Sequence, residues 1–340
     1  MTPSLEPRCR ARPPGTRMGS RPAAARSFTI EVAAPFRLDL TVWALRRRAH
    51  NVMDRFDGRC YERTPVLCGQ PAEAAVRQQD GRGAPLLVVE LRGSGAELSE
   101  DCAAHARQVL ERTLGLGTDL RGFYWLAERD ARLRALARRF RGMRPPCFST
   151  VFEAVVSAIA CQQLSLTVGI HLLNRLAQHY GPAISAPDRG LPGFPTPQLL
   201  ANADPSALRE LGFSRAKARA VTVLAQQVAD GSLDIEALRD ADDDRALAVL
   251  LGLTGIGRWS AEYTLLRGLA RHHVLPGDDV GARSNLRRRL GLAAAADYDA
   301  VAELSRAWWP YGGLVYFHLL LDTLAAGGHL AEVLLDATVA

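Results

Sequence analysis

Lysine is almost missing from this chain of 340 residues: of its 42 basic residues one, Lys217, is a lysine. Any mechanism built on a lysine amine therefore has a single position available to it. Paired cysteines are missing too. Cys9, Cys60, Cys68, Cys102, Cys147 and Cys161 lie scattered with no C-x-x-C spacing, which excludes a zinc site, an iron–sulfur cluster and a disulfide framework of the usual kinds. No apolar run approaches the roughly 20 residues that a membrane-spanning helix needs, and no signal-peptide core is present, so the expectation is a cytoplasmic protein without membrane association. The composition of disordered chains is absent as well, since 48% of residues are hydrophobic and 23% charged, enough to bury a sizeable core in two or three domains.

What is there begins with an uneven charge. The net +6 suggests a polyanionic partner, yet residues 1–27 hold six arginines (Arg8, Arg10, Arg12, Arg17, Arg21, Arg26) against the single acid Glu6. Five of the six net charges sit there, and everything after Ser27 sums to about +1. Rich in Pro, Arg, Gly and Ala without apolar periodicity, 1–27 reads as a disordered tail.

From 28 to 114 the signals are mixed. Ser27–Val32 and Leu86–Leu91 read as strands, Leu40–Ala49 and Cys102–Thr113 as helices, with a loop near Gly81–Ala84, which together make an α+β domain. Over 115–340 strand signals vanish. Phe152–Tyr180 reads as one long helical stretch closed by Gly181 and Pro182, and Pro187–Pro197 as a loop. Further helices are expected at Pro205–Leu211, Ser214–Asp230, Asp242–Leu251, Arg258–Arg271, Gly281–Leu290 and Tyr298–Leu321. The fold class is α+β, an α+β domain followed by an all-helical bundle.

Chemistry concentrates in 250–290. A helix ends near Leu251, the turn Leu253-Thr254-Gly255-Ile256-Gly257 follows, and a new helix starts at Arg258, so a hairpin is expected at 251–258. Glycines on both sides of Ile256 let the backbone turn sharply and let a ligand approach, and the amides with the next helix N-terminus suit a phosphate. An ordinary αα-hairpin with Ile256 plugging the core would carry the same pattern. Twenty residues after Trp259 comes Asp279, in a Pro-Gly-Asp-Asp loop ahead of an arginine-rich helix (Arg283, Arg287, Arg288, Arg289).

At this point the sequence resembles the helix-hairpin-helix DNA glycosylase superfamily, and within it the AlkA-type 3-methyladenine DNA glycosylases. The likeness is carried by FEAVVSAIACQQLS (152–165), FPTPQLLANADPSALRELG (194–212), SRAKARAV (214–221), GIGRWSAEYTLLRG (255–268) and WWPY (308–311), and it extends over 28–325. It implies a TBP-like N-terminal α+β domain followed by a helical glycosylase bundle of two subdomains. It also implies double-stranded DNA with alkylated bases as partner, a monomer in action, no organic cofactor and, in a bacterium, association with the nucleoid. A monovalent cation at the backbone carbonyls of Leu251, Leu253 and Ile256 is implied by the family alone.

The resemblance assigns Asp279 as the catalytic carboxylate, which would stabilise an oxocarbenium-like sugar and orient water. Asp278 or Asp279 could equally serve as the cap of the next helix. Trp259 and Tyr263, at i and i+4, and Tyr311 are assigned to the pocket of the flipped, electron-poor base, against plain core packing. DNA contacts fall to Gly255, Ile256, Gly257, Arg258 and Arg283, with a solvated helix face as the alternative for the arginine run. Gln162 and Gln163 mark the loop that fills the hole left by the base, against a helix kink or an N-cap at Ser165. Members that also nick the backbone carry a lysine in the pair after the second hairpin glycine, where this chain has Arg258-Trp259, and Lys217 lies in another helix; the expectation is a monofunctional enzyme that leaves an abasic site. The competing readings are a non-catalytic hairpin DNA-binding protein and a glycosylase for oxidised or mismatched bases.

Overall fold

The computed structural model describes residues 25–330 apart from 82, 94–97, 185–189, 292 and 294–296. Its N-terminal part is an antiparallel sheet of β1 (Ala25–Glu31), β2 (Arg55–Phe56), β3 (Cys60–Arg63), β4 (Val66–Leu67), β5 (Gln70–Asp80) and β6 (Pro85–Gly93), ordered β1-β6-β5-β3-β2 with β4 on β5. Helices α1 (Leu38–Arg46) and α2 (Glu100–Thr113) cover it. The alternation of β6 buries Leu87, Val89 and Leu91 against Leu45 and Leu110, the half-buried pattern of a sheet with one solvated face. The expected tail ran to residue 27. Its last three residues instead open β1, where Ala25 pairs with Arg92 and Ser27 with Glu90; residues 1–24 lie outside the described part.

The rest is helical: α3 (Arg121–Arg129), α4 (Ala131–Arg139), α5 (Val151–Cys161), α6 (Leu166–Tyr180), α7 (Pro197–Ala201), α8 (Pro205–Glu210), α9 (Arg215–Ala229), α10 (Asp243–Gly252), α11 (Arg258–Gly268), α12 (Val280–Leu290), α13 (Tyr298–Arg306) and α14 (Gly312–Ala326). Two apolar cores divide them. One is built on α5, α6, α9 and α10, the other on α3, α4, α12 and α14. Helix α11 feeds both, Ala261 and Leu265 entering the first and Leu266 the second, and it is buried from Ser260 to Gly268.

Two expected helices are each broken. The stretch 152–180 stops at Cys161, because Gln163 takes φ +53° and the Ser165 hydroxyl caps α6 by accepting from the Val168 amide; Ser165 is an N-cap, which leaves the side chains of Gln163 and Leu164 exposed ahead of it. The stretch 298–321 stops at Arg306, because Pro310 lacks the amide that would continue it, and α14 starts afresh after Tyr311.

Candidate active site

The two helical cores leave a cleft between them of about 1170 Å³. One wall comes from the α5–α6 loop, the start of α9, the hairpin and α11; the other from Asp278–Ala282 and the Tyr316, Leu320 and Thr323 face of α14.

Asp279 stands at the seam. It is the N-cap of α12, its Oδ1 accepting from the Ala282 amide at 2.7 Å. Its Oδ2 accepts from Trp259 Nε1 at 3.1 Å, with the Tyr316 hydroxyl at 3.4 Å. Capping and cleft-facing, which the sequence offered as alternatives, are thus two duties of one carboxylate. Burial and the adjacent Asp279 charge push the Tyr316 phenol well above its usual range, so it is a neutral donor. Asp278 does not cap. It accepts from Arg258 Nε and Arg283 Nη2, both at 2.7 Å, while Arg283 Nε also bonds the Gly277 carbonyl at 2.7 Å. The two arginines expected at phosphates brace the aspartate loop, with half of Arg258 still exposed above the Tyr298 ring.

A second brace was missed in the sequence. Glu262, buried on α11, accepts from the Gly277 amide at 3.1 Å and from the Tyr298 hydroxyl at 2.6 Å; burial raises its carboxyl. A charged residue in the middle of a buried helix was the only available signal.

Trp259 and Tyr263 do meet, with ring centroids 5.3 Å apart and planes tilted by 30°, and both line the cleft. Tyr311 does not reach it. Its ring packs against Phe123 and its hydroxyl lies where a Cβ on Gly122 would be. Tyr311 precedes α14, and the helical repeat brings Tyr316, Leu320 and Thr323, at i, i+4 and i+7, to the cleft instead.

The hairpin joins α10 to α11. Gly255 has φ +79°, Ile256 is inserted into the first core, and Gly257 starts α11 with no side chain capping its amides. Gln162 turns towards this hairpin, its Nε2 donating to the Gly255 carbonyl and to Ser260 Oγ, each at 2.8 Å. Gln163 and Leu164 are exposed at the cleft mouth. Lys217 was placed by the sequence outside the motif. It is on α9 as expected, yet it lines the cleft, its ammonium donating to the carbonyls of Ala160 (3.0 Å) and Gln162 (2.7 Å) at the end of α5. Burial lowers its pKa. Among the described residues no three His, Cys, Asp or Glu side chains gather as a metal site, and no helix is long and apolar enough to cross a membrane.

Residues 156–311 match the HhH-GPD superfamily of base excision DNA repair proteins. Among curated proteins the chain is 34% identical to DNA-3-methyladenine glycosylase 2 of Escherichia coli over 170 residues, 50% of this chain and 58% of that one. It is 28% identical to a DNA-3-methyladenine glycosylase of Bacillus subtilis over 204 residues, 60% of this chain and 67% of that one. The chain thus spans between half and two thirds of these relatives. A 3-methyladenine DNA glycosylase structure from Archaeoglobus fulgidus superposes with a TM-score of 0.77 at 26% identity, covering 86% of this chain and 97% of that one.

Proposed function

We propose that the chain, whose residues 156–311 match the HhH-GPD superfamily of base excision DNA repair proteins, is a monofunctional DNA glycosylase that removes alkylated purines from double-stranded DNA. The relatives' names supply the substrate class. The observation that carries the chemistry is Asp279: a carboxylate held on both oxygens, beside an aromatic pair, at the seam of a cleft.

A flipped nucleotide would place its base against Trp259 and Tyr263, with the sugar at Asp279. As the N-glycosidic bond breaks, positive charge develops on the sugar, and a carboxylate already fixed in place stabilises it without reorganising. Asp279 also orients the attacking water; the product is an abasic site. Phosphates would lie on the Gly255, Ile256 and Gly257 segment, on the uncapped amides of α11 and on the exposed part of Arg258. Gln163 and Leu164, at the cleft mouth, would fill the space left in the duplex. The carbonyls of Leu251, at the end of α10, and of Leu253 and Ile256, in the hairpin, would hold a monovalent cation. The N-terminal sheet is read as the TBP-like part, and the enzyme as a monomer on DNA.

Asp279→Asn tests the chemistry, since asparagine retains an acceptor for the Ala282 amide and removes the charge. Excision of 3-methyladenine from methylated DNA should fall by a factor of about 10² or more. Release at the wild-type rate would sink the assignment. The absence of strand cleavage rests on Arg258-Trp259 and on Lys217 being engaged by two carbonyls; a borohydride-trapped adduct with duplex containing a lesion would contradict it.

A further inference from the structure

The cysteines of the described part divide by exposure. Cys60, Cys147 and Cys161 are buried, whereas Cys68 is exposed and Cys102 half-buried. Burial pushes the thiols of Cys60 and Cys147 up, away from reactivity. The two accessible cysteines are distant in sequence and adjacent in space. Their chain neighbours Leu67 and Ala103 are buried in the same core of the N-terminal part, so the β4–β5 turn rests on the first turns of α2. The Cys68 amide donates to His105 Nδ1 at 3.4 Å, and His105 stands one turn beyond Cys102 on α2. The two thiols hydrogen-bond one another, with Cys68 as the donor.

Each half of the pair is locally prepared. Cys68-Gly69 is the two-residue turn of the β4–β5 hairpin, and both residues take positive φ, +49° and +79°. Asparagine or glycine is the ordinary occupant of the first of these positions, so a cysteine there is held in a strained backbone conformation. Cys102 is in the first turn of α2, its amide donating to the hydroxyl of the N-cap Ser99 at 3.2 Å. Hydrogen bonds from the Cys68 thiol and the Ser99 hydroxyl lower the Cys102 pKa against the nearby Asp101 charge, and the helix N-terminus acts in the same direction.

We infer that Cys68 and Cys102 form a thiol-oxidation site, at which a peroxide joins them in a reversible disulfide that staples the β4–β5 hairpin to α2. The Cys102 thiolate attacks one oxygen of hydrogen peroxide; the O–O bond breaks, the sulfur becomes a sulfenic acid and hydroxide leaves with the Cys102 proton as water. The Cys68 sulfur then displaces the sulfenic oxygen, which departs with the Cys68 proton as a second water. Two thiols and one peroxide thus give one disulfide and two waters, and a low-molecular-weight dithiol reverses the change. Neither cysteine lines the cleft, so this inference goes beyond the proposed reaction and stands or falls independently of it.

The test treats the full chain with hydrogen peroxide, blocks the remaining thiols with iodoacetamide, and reads an unreduced digest by mass spectrometry. The wild type should yield the peptides of Cys68 and Cys102 as one linked species, which dithiothreitol separates. Cys68→Ser should stop at the sulfenic acid, trapped on Cys102 by dimedone. In Cys102→Ser the remaining thiol should react with peroxide at least about tenfold more slowly than Cys102 does in Cys68→Ser, the ratio that a pKa difference of about one unit produces. Oxidation should also raise the thermal midpoint of the wild type by several degrees, because the link closes a loop of the unfolded chain, and leave that of Cys68→Ser unchanged. The wild-type measurements need no variant to fold. Absence of the linked species, a link from either cysteine to another such as Cys9, or equal peroxide rates in the two variants overturns the proposal. An unchanged midpoint in the linked wild type overturns the staple.

Discussion

Asp279 closes a helix with one oxygen and faces the cleft with the other, so its variants separate stability from chemistry. Asp279→Ala should lose the cap as well as the charge, at a cost of about 1 kcal/mol relative to Asp279→Asn. Chemical denaturation of the two variants checks this, and equal midpoints would show that the cap contributes nothing. Trp259 offers a second separation. Its indole N–H is a donor to Asp279 at 3.1 Å, and hydrogen bonds to charged groups contribute about 1.5–3 kcal/mol. Trp259→Phe keeps an aromatic face and removes the donor, so the rate of base release should fall roughly 10- to 100-fold by the same measure. A rate within twofold of wild type would mean that the indole is only a stacking surface.

At the scale of elements, the hairpin was legible because it is local: Gly-Ile-Gly between two helices needs no knowledge of what packs on it. Gly255 has φ +79°, and a Cβ there would stand 3.0 Å from that of Ala220. Gly255→Ala should therefore destabilise the fold by about 1–2 kcal/mol and weaken binding to undamaged duplex, measured by fluorescence anisotropy; unchanged binding would detach the hairpin from DNA. Other elements were legible by composition, as in the β-branched and apolar run LLVVEL at 86–91, whose alternate burial of Leu87, Val89 and Leu91 the structure adds. The strand β5 was missed because its inward positions include Ala72 and Ala74, too small to announce a strand. Helix α4 was missed because its short apolar stripe of Leu133, Leu136 and Ala137 is set among four arginines, Arg132, Arg134, Arg138 and Arg139. The site divides in the same way. Asp279, Trp259 and Tyr263 lie within 21 residues and were assigned through the resemblance that the hairpin motif carries. Arg47, which also lines the cleft, is 216 residues from Tyr263, whose hydroxyl it bonds. Tyr311 was misplaced because it stands just before α14 and packs on Phe123, 188 residues earlier in the chain, a contact that no local pattern encodes.

The whole molecule is fastened by charges and histidines that no single element explains. Arg63, on the sheet, bonds Glu153 on α5 and Asp54 before β2, so sheet and bundle share one buried ion-pair network. Its removal would leave uncompensated charge between them. The second fastening point is the C-terminal helix. His318 on α14 is 1% exposed, packed 4.7 Å from the Phe123 ring, with Nδ1 at 2.8 Å from the Leu314 carbonyl and Nε2 unpartnered. His272, after α11, supplies the carbonyl that accepts the Gly313 amide at the start of the same helix. Burial lowers both imidazoles to about 4, from an ordinary value near 6.5. Above pH 6.5 both folded and unfolded chains hold these rings neutral, and they add no pH dependence. Below it the unfolded chain takes up the protons first, so stability falls as the pH drops towards 4 and then levels off. Each ring contributes a slope of about 1.4 kcal/mol per pH unit in that window. His318→Met fills the same space without a titrating group. Relative to wild type its unfolding free energy should rise by about 2 kcal/mol between pH 7 and pH 5, measured by urea denaturation at each pH. Parallel pH profiles for the two proteins would show that His318 is protonated in the folded state, and that the packing of α14 on Phe123 tolerates a buried imidazolium.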